Sequence, residues 1–276
     1  MMLVLAVGCA APDPGASPEP YPLDGVLRFD QLQAKGTHNS YHVQTSDLEP
    51  LAYGHAPLDV QLGEQGVRQF ELDVYWDEAA GAHVVQHIPL LDVGTTCPTF
   101  VDCLAVLEGW SGAHPGHHPL LVLVETKDAW GETSGPAHLD ALDAELLDVW
   151  PRERLITPDD LLAAGAPDLR TALADTGWPP LGALRGRARF VLHDGSARRD
   201  AYVADLAGRP MFPDAMGDVD VPWAAVHTMN DPWDPRITEV VGLGHLVRTR
   251  ADAETVQARE EDPTMRDQAL RSGRSS

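Results

Sequence analysis

The feature that most constrains this chain is an alternation. Short apolar runs, several ending in polar side chains, are separated by stretches of helical character. The runs are Leu32–Ser40, Val67–Tyr75, Pro119–Lys127, Arg154–Thr157, Arg187–His193, Ala224–Met229 and His245–Arg250. Helical patterns fit about 99–110, 137–149, 168–176 and 252–272. Strand followed by helix over roughly 250 residues predicts an α/β fold, a TIM-type (β/α) barrel with parallel strands. Seven runs fall one short of a closed barrel, with His83–His87 read as a hairpin return after the turn at Gly81. The tail Ser272-Gly-Arg-Ser-Ser276 stands where an eighth strand would begin. The barrel is therefore expected to be incomplete at the eighth strand, leaving open edges on the first and last runs.

The N-terminal segment reads separately. Met1 to Gly8 is apolar but too short to span a bilayer, and it looks like the end of a secretory signal. Ala6-Val7-Gly8-Cys9 resembles a lipobox, the site at which bacterial lipoproteins are cleaved and the cysteine acylated. The stretch after Cys9 is rich in Pro, Ala, Gly and Ser and suits a tether. The expected organisation is a signal remnant over 1–8, a lipoprotein tether over 9–24 and a catalytic barrel over 25–276. Cys97 and Cys103 remain. In an exported protein such close cysteines favour a disulfide over a metal site; in a reducing compartment both would be buried thiols.

The polar residues at the carboxyl ends of the runs are where a barrel carries its chemistry. His38 and Asn39 end the first run. Glu71 and Asp73 are two apart in the second and share one face, whereas Phe70, Leu72 and Val74 take the other. That apolar face belongs against helices, so the two carboxylates point into the barrel. Unpaired charges are costly there, and a cation relieves them. Glu125 and Lys127 repeat the pattern in the third run. Asn39, Glu71, Asp73 and Glu125 offer only oxygen, the donor set of a hard cation. Ca²⁺ is preferred over Mg²⁺ for its tolerance of irregular geometry. Three carboxylates leave such a site about one charge negative, so an anionic phosphate needs help from His38, His87, Lys127 or an arginine. Two histidines beside a metal suit acid–base chemistry. His114, His117 and His118 sit in a Pro/Gly loop and are expected to face solvent. Lys127 could instead pair with Asp128 or Glu71.

Charge excludes some partners. With 20 Lys and Arg against 42 Asp and Glu, the chain carries a formal −22. It repels nucleic-acid backbones and gains nothing from an anionic membrane surface. Any contact with lipid must come from apolar groups, a metal ion or a covalent anchor.

Four segments come in a telling order: Lys35-Gly-Thr-His-Asn-Ser-Tyr41, Gly66-Val-Arg-Gln-Phe-Glu-Leu-Asp-Val74, Val85-Gln-His-Ile-Pro89 and Leu123-Val-Glu-Thr-Lys127. With Arg248-Thr-Arg-Ala-Asp252, they make the chain resemble the bacterial calcium-dependent phosphoinositide phospholipase C family from about residue 26 to 272. The resemblance implies a TIM barrel, His38 and His87 as the catalytic pair, and Asn39, Glu71, Asp73 and Glu125 as Ca²⁺ ligands. It also suggests Lys127 and Arg250 as substrate-binding groups. The implied activity is cleavage of phosphatidylinositol-like lipids by attack of the inositol 2-hydroxyl on phosphorus. Diacylglycerol and a cyclic or open inositol phosphate are released. The family's final strand is not matched here. The expected setting is an exported monomer held at a membrane by a lipid on Cys9. Glycerophosphodiester phosphodiesterases and sphingomyelinase D-like enzymes are the nearest rivals, but their His-Arg-Gly and His-Asp signatures give way to Thr37-His-Asn-Ser40. An inactive phosphoinositide-binding lipoprotein is the rival from another class.

Overall fold

A computed structural model describes residues 21–49, 51–128 and 135–273. The strands are β1 (Gln69–Asp77), β2 (Ala82–Val85), β3 (Leu120–Thr126), β4 (Ala188–His193), β5 (Met211–Pro213), β6 (Val226–Thr228) and β7 (Leu246–Arg248). The α-helices are α1 (Leu58–Gly63), α2 (Phe100–Ala113), α3 (Pro136–Val149), α4 (Pro158–Leu162), α5 (Leu169–Asp175), α6 (Ala197–Val203), α7 (Arg236–Gly242), α8 (Val256–Arg259) and α9 (Thr264–Ser272). The proposed signal remnant, Cys9 and most of the tether lie outside the described residues.

The fold is mixed α/β. One sheet runs β2-β1-β3-β4-β5, parallel except for the β1–β2 hairpin, and a second joins β6 and β7 in parallel. An Asp214–Val226 bridge links the two, also in parallel. Parallel strands need both faces covered, and β3 shows this in its unbroken Leu120-Leu-Val-Leu-Val124. Val122 and Val124 join Phe70, Leu72, Phe190 and Leu192 in a core shared with Leu104 of α2 and Leu146 of α3. Leu123 faces the other way, into a second core with Val191, Phe212, Val226 and Trp178. Both cores are filled, and the carboxylates of β1 and β3 and His193 of β4 lie beyond them toward the carboxyl edge of the sheet.

Several expectations need correction. Leu32–Ser40 is not a strand: its one ladder contact is a parallel bridge from Gly36 to Gln69. A Cβ on Gly36 would fall 1.8 Å from the Gln69 side-chain oxygen, so the chain passes there as bare backbone. Arg154–Thr157 likewise reduces to a bridge from Leu155 to Ala188. Met211–Pro213, too short to show a period, is a strand, and the 83–87 return is antiparallel β2. The helix expected over 252–272 is two helices. Pro263 has no N–H to continue one, and the Asp262 carboxylate accepts from the Thr264 N–H (2.9 Å) to start the next. β7 pairs only with β6 among the described residues, as the open-edge reading expected. A closed barrel is not seen.

α2 opens as its sequence suggests. Pro98 precedes Thr99, whose hydroxyl accepts from the Asp102 N–H while Asp102 accepts in return from Thr99. Cys97 and Cys103 are joined in a disulfide across this first turn. His117 is buried rather than solvent-facing. Its ring lies 2.5 Å from the Ser111 hydroxyl and 2.6 Å from the His118 carbonyl, because the loop folds under the end of α2. His114 and His118 are exposed.

Candidate active site

The parallel register of β1 and β3 builds the centre of the site. Asp73 stands opposite Glu125 and Glu71 opposite Leu123, which brings the three carboxylates to one side at the carboxyl end of the sheet. One oxygen from each of Glu71, Asp73 and Glu125 lies within 4.8 Å of the others. Glu71 and Asp73 are buried; Glu125 is partly so. Two cations offset them. Lys127 Nζ is 2.5 Å from Glu125 and 3.3 Å from Asp73, so its partners are neither Asp128 nor Glu71. Arg248, from β7, places Nη2 2.7 Å from Glu71 across the interior. Burial pushes the Asp73 carboxyl up to about 8, against the pull of Lys127. Burial raises Glu71 too, opposed by Arg248. At Glu125 burial acts in the same direction, but the hydrogen bond and charge of Lys127 outweigh it and hold this carboxyl below its usual range.

Asn39 lies one residue before Ser40, whose backbone and hydroxyl bind both polar groups of the Glu71 peptide (3.0 and 2.9 Å). Its backbone is left-handed (φ 48°), a conformation asparagine tolerates. Its amide donates to the Tyr53 hydroxyl (2.8 Å), and its side-chain oxygen is buried with no donor. Both Asp73 carboxylate oxygens also lack a hydrogen bond. Buried oxygens that make no hydrogen bond, beside two more carboxylates, are what an oxygen-seeking cation would satisfy. Calcium fits the residues present.

The histidines occupy two places. His38 Nε2 is 3.4 Å from Glu71, and half its side chain is open to water. Its pKa is lowered by partial burial first, then by the charges of Arg248 and Arg250; the open half moderates the desolvation. His87 sits over Asp92, with Nδ1 2.8 Å from Oδ2. The same buried carboxylate meets His42 Nε2 at 2.9 Å, and the His42 ring stacks on Tyr53. Asn39, Tyr53, His42, Asp92 and His87 thus form one continuous chain of contacts. Burial works against ionisation of Asp92, but the hydrogen bonds of His42 and His87 prevail and its pKa is lowered.

Arg250 makes no hydrogen bond or ion pair among the described residues. Sequence reasoning missed four groups. Asp92 follows His87 by five residues with no motif to mark it. Arg248 shares the parity of Arg250, yet only the folded chain reveals its tie to Glu71. His193 ends β4 in register with Glu125, and its Nδ1 is 2.7 Å from Asp214. Burial lowers the His193 pKa, but the Asp214 carboxylate more than reverses this and the net shift is upward. A cleft of about 290 Å³ beside it is lined by Glu125, Asp128, His193, Ser196 and Met216. The polar end of the Arg187–His193 run was the available signal for His193.

An acidic oxygen cluster with histidines near it, at the carboxyl edge of a parallel sheet, fits a metal-dependent enzyme of the α/β class. The family model described as phosphoinositide phospholipase C, Ca²⁺-dependent, matches residues 27–86 and 80–275. The chain belongs to that family. It is accordingly a phosphoric diester hydrolase acting on phosphoinositides, with Ca²⁺ as cofactor. Among solved structures it is similar to a calcium-dependent phosphoinositol-specific phospholipase C from Pseudomonas sp. Identity is 22% over 88% of this chain and 89% of that one, with a TM-score of 0.67. A second crystal form of that protein gives 0.68. A Ca²⁺-dependent phosphatidylinositol-specific phospholipase C from Streptomyces antibioticus is 21% identical over 78% of this chain and 80% of that one, TM-score 0.58. At these identities the structural likeness bears on the fold. No curated protein sequence matches.

Proposed function

We propose that the chain cleaves phosphatidylinositol-like lipids with Asn39, Glu71, Asp73 and Glu125 holding Ca²⁺ and His38 and His87 as the catalytic pair. The observation that carries this reading is the three-carboxylate cluster, two of its members buried, with His38 against Glu71. Bound there, the cation supplies charge to offset the phosphate in the transition state and to acidify the attacking hydroxyl. The residues do the rest. His38, with Nε2 beside Glu71, takes the proton of the inositol 2-hydroxyl as that oxygen attacks phosphorus. Asp92 fixes His87 through Nδ1, which leaves Nε2 to give a proton to the departing glycerol oxygen. Lys127 and Arg250 bind the phosphate, and Arg250 is the readier of the two because no carboxylate holds it. Diacylglycerol leaves, and the inositol phosphate stays cyclic until water opens it.

The decisive experiment is turnover of phosphatidylinositol in vesicles with and without chelator. Release of diacylglycerol that stops with chelator and returns with Ca²⁺ supports the reading. Turnover of a glycerophosphodiester but not of phosphatidylinositol would overturn it.

We infer further that the two sheets are arcs of one (β/α) barrel spanning 25–276. The Gly36 and Asp214 bridges continue the parallel order, and Arg248 reaches Glu71 across the interior. Acylation of Cys9, after removal of residues 1–8, with 9–24 as tether, would place a monomeric exported enzyme at a membrane. The lipobox-like Ala6–Cys9 supports this. Among the described residues no helix is long and apolar enough to cross a membrane.

A further inference from the structure

The chain joins its folded domain on the side away from the carboxylate cluster. Asp24 accepts from Arg185 Nε (2.7 Å) and Nη2 (2.8 Å), and the same guanidinium lies 3.8 Å from the centre of the Tyr21 ring. Arg185 Nη1 donates to the Gly116 carbonyl (2.8 Å), and a Cβ on Gly116 would strike the Tyr21 hydroxyl. The backbone is tied in as well. The Gly182 N–H donates to the Asp24 carbonyl (3.0 Å), the Leu181 N–H to the Leu27 carbonyl (2.8 Å), and Arg28 forms an antiparallel bridge with Pro180. Tyr21 to Asp24, read from the sequence as the end of the tether, are therefore held by the domain.

The partners of this clasp fix its place. Gly116 comes shortly before β3 and Arg185 shortly before β4, so the clasp sits at the amino edge of two neighbouring strands inside the sheet. Glu125 and His193 stand at the other ends of the same two strands. At about 3.3 Å per residue, β3 carries the chain roughly 17 Å from Leu120 to Glu125. The entry of the chain and the candidate active site are on opposite faces.

Distance then decides which lipid the site can reach. However it runs, the chain from Cys9 to Tyr21 spans at most about 43 Å. A domain of about 250 residues has a radius of gyration of about 18 Å, which corresponds to a sphere of radius about 23 Å. A lipid's scissile phosphate lies at the bilayer surface, so the carboxyl edge must meet that surface. Pressing this edge against the bilayer that holds Cys9 would carry the clasp to the far pole of the domain. A path from that pole, around the domain and down to the bilayer, is roughly 60 Å long. The reach from Cys9 falls short of it. Laid on its side, the domain still holds the site about one radius, roughly 23 Å, above the lipid.

We propose that the enzyme, anchored at Cys9, cleaves phosphatidylinositol-like lipid in a second bilayer that faces the one holding it, and not in its own. This deepens the phospholipase reading, resting on it for the chemistry and on the Cys9 reading for the anchor. The clasp of Tyr21 and Asp24 on Arg185 supplies the direction, because it makes the anchored side of the domain the side without the site.

The test uses the chain from Cys9 to Ser276. Cys97 and Cys103 are joined, which leaves Cys9 as the free thiol, and a maleimide-bearing lipid fixes it to vesicles without acylation in a cell. In one arm the coupled vesicles are phosphatidylcholine alone, mixed with free vesicles that contain phosphatidylinositol. In the other the coupled vesicles themselves contain phosphatidylinositol and are diluted until they rarely meet. A second protein carries about 40 Gly and Ser residues inserted after Ala11, which adds about 140 Å of reach at full extension. Both proteins should release diacylglycerol from facing vesicles in the presence of Ca²⁺. On its own vesicle the parent should release about tenfold less than the lengthened form, because a linker too short to span gives an effective concentration near zero. Equal release by the two proteins on their own vesicles overturns the proposal. So does a Cys9 found without lipid in the expressed protein by mass spectrometry. The uncoupled chain on phosphatidylinositol vesicles separates the two readings. No release there sinks the phospholipase reading and the proposal with it; release there, with equal own-vesicle rates, sinks the proposal alone.

Discussion

Arg248→Met is the most informative single change. The Arg248–Glu71 pair is 2.7 Å apart, and both side chains are over nine-tenths buried. Glu71 has no comparable partner: His38 is at 3.4 Å and half exposed, and Lys127 pairs with Asp73 and Glu125. Removing the guanidinium leaves a buried carboxylate beside two others. Breaking a buried pair from one side costs about 3–5 kcal/mol, chiefly the penalty of the abandoned charge. For a domain of this size that corresponds to a fall of roughly 6–20 °C in melting temperature. Methionine keeps much of the packing of the stem, so the loss reports the charge. The assay is urea and thermal unfolding in chelator and in Ca²⁺. The loss should be largest in chelator and smaller in Ca²⁺, because a cation among Glu71, Asp73 and Glu125 offsets the charge that Arg248 no longer meets. The double variant Arg248→Met with Glu71→Gln should recover much of the metal-free stability, while losing the stabilisation by Ca²⁺. A single-variant loss under about 1 kcal/mol, or one equal with and without Ca²⁺, refutes the argument.

Three further outcomes follow from the geometry and the sequence. His38→Ala and His87→Ala should each lower turnover by about 10²–10⁴ with little change in melting temperature, measured by steady-state kinetics and calorimetry; a large stability loss with modest activity loss would make them structural. Burial raises Asp73 from 3.8 to about 8, so its contribution favours the metal-free fold below about pH 4 and is lost as pH rises through 8. Melting curves in chelator from pH 5 to 9 should fall accordingly for the parent and flatten for Asp73→Asn; identical slopes would contradict this. Cys9→Ser should abolish acylation and move the expressed protein from membrane to soluble fraction, read by fractionation and mass spectrometry; a protein soluble whatever stands at position 9 is no lipoprotein.

The electrostatics of the site also explain its dependence on a second half of the chain. Glu71, Asp73 and Glu125 come from two adjacent strands, but the cation that meets Glu71 comes from β7, 177 residues later. A fold without β7 would leave Glu71 buried beside two other carboxylates with no guanidinium against it. The proposed metal site and the packing of β7 therefore meet in one ion pair.

Local pattern was enough to determine much of this protein. Alternation in Phe70-Glu-Leu-Asp-Val74 separates a helix-facing side from a polar one, because strand side chains alternate whatever surrounds them. That parity placed Glu71 and Asp73 together, and the same reasoning reached Glu125. The ordered segments around His38, Asp73, His87 and Glu125 carried the family. Tertiary structure decided what depends on distance along the chain. Gly36 and Leu155 lie beside strands without becoming strands, because ladder hydrogen bonds need a partner in register and only one contact forms for each. Met211–Pro213 is a strand through its neighbour β4, not through any period of its own. Asp92 under His87 and His42, Asp214 under His193, and Arg248 on Glu71 could not be read from spacing. Each is a buried charge whose place is set by the partner that makes burial tolerable, and that partner is known only once the chain has folded.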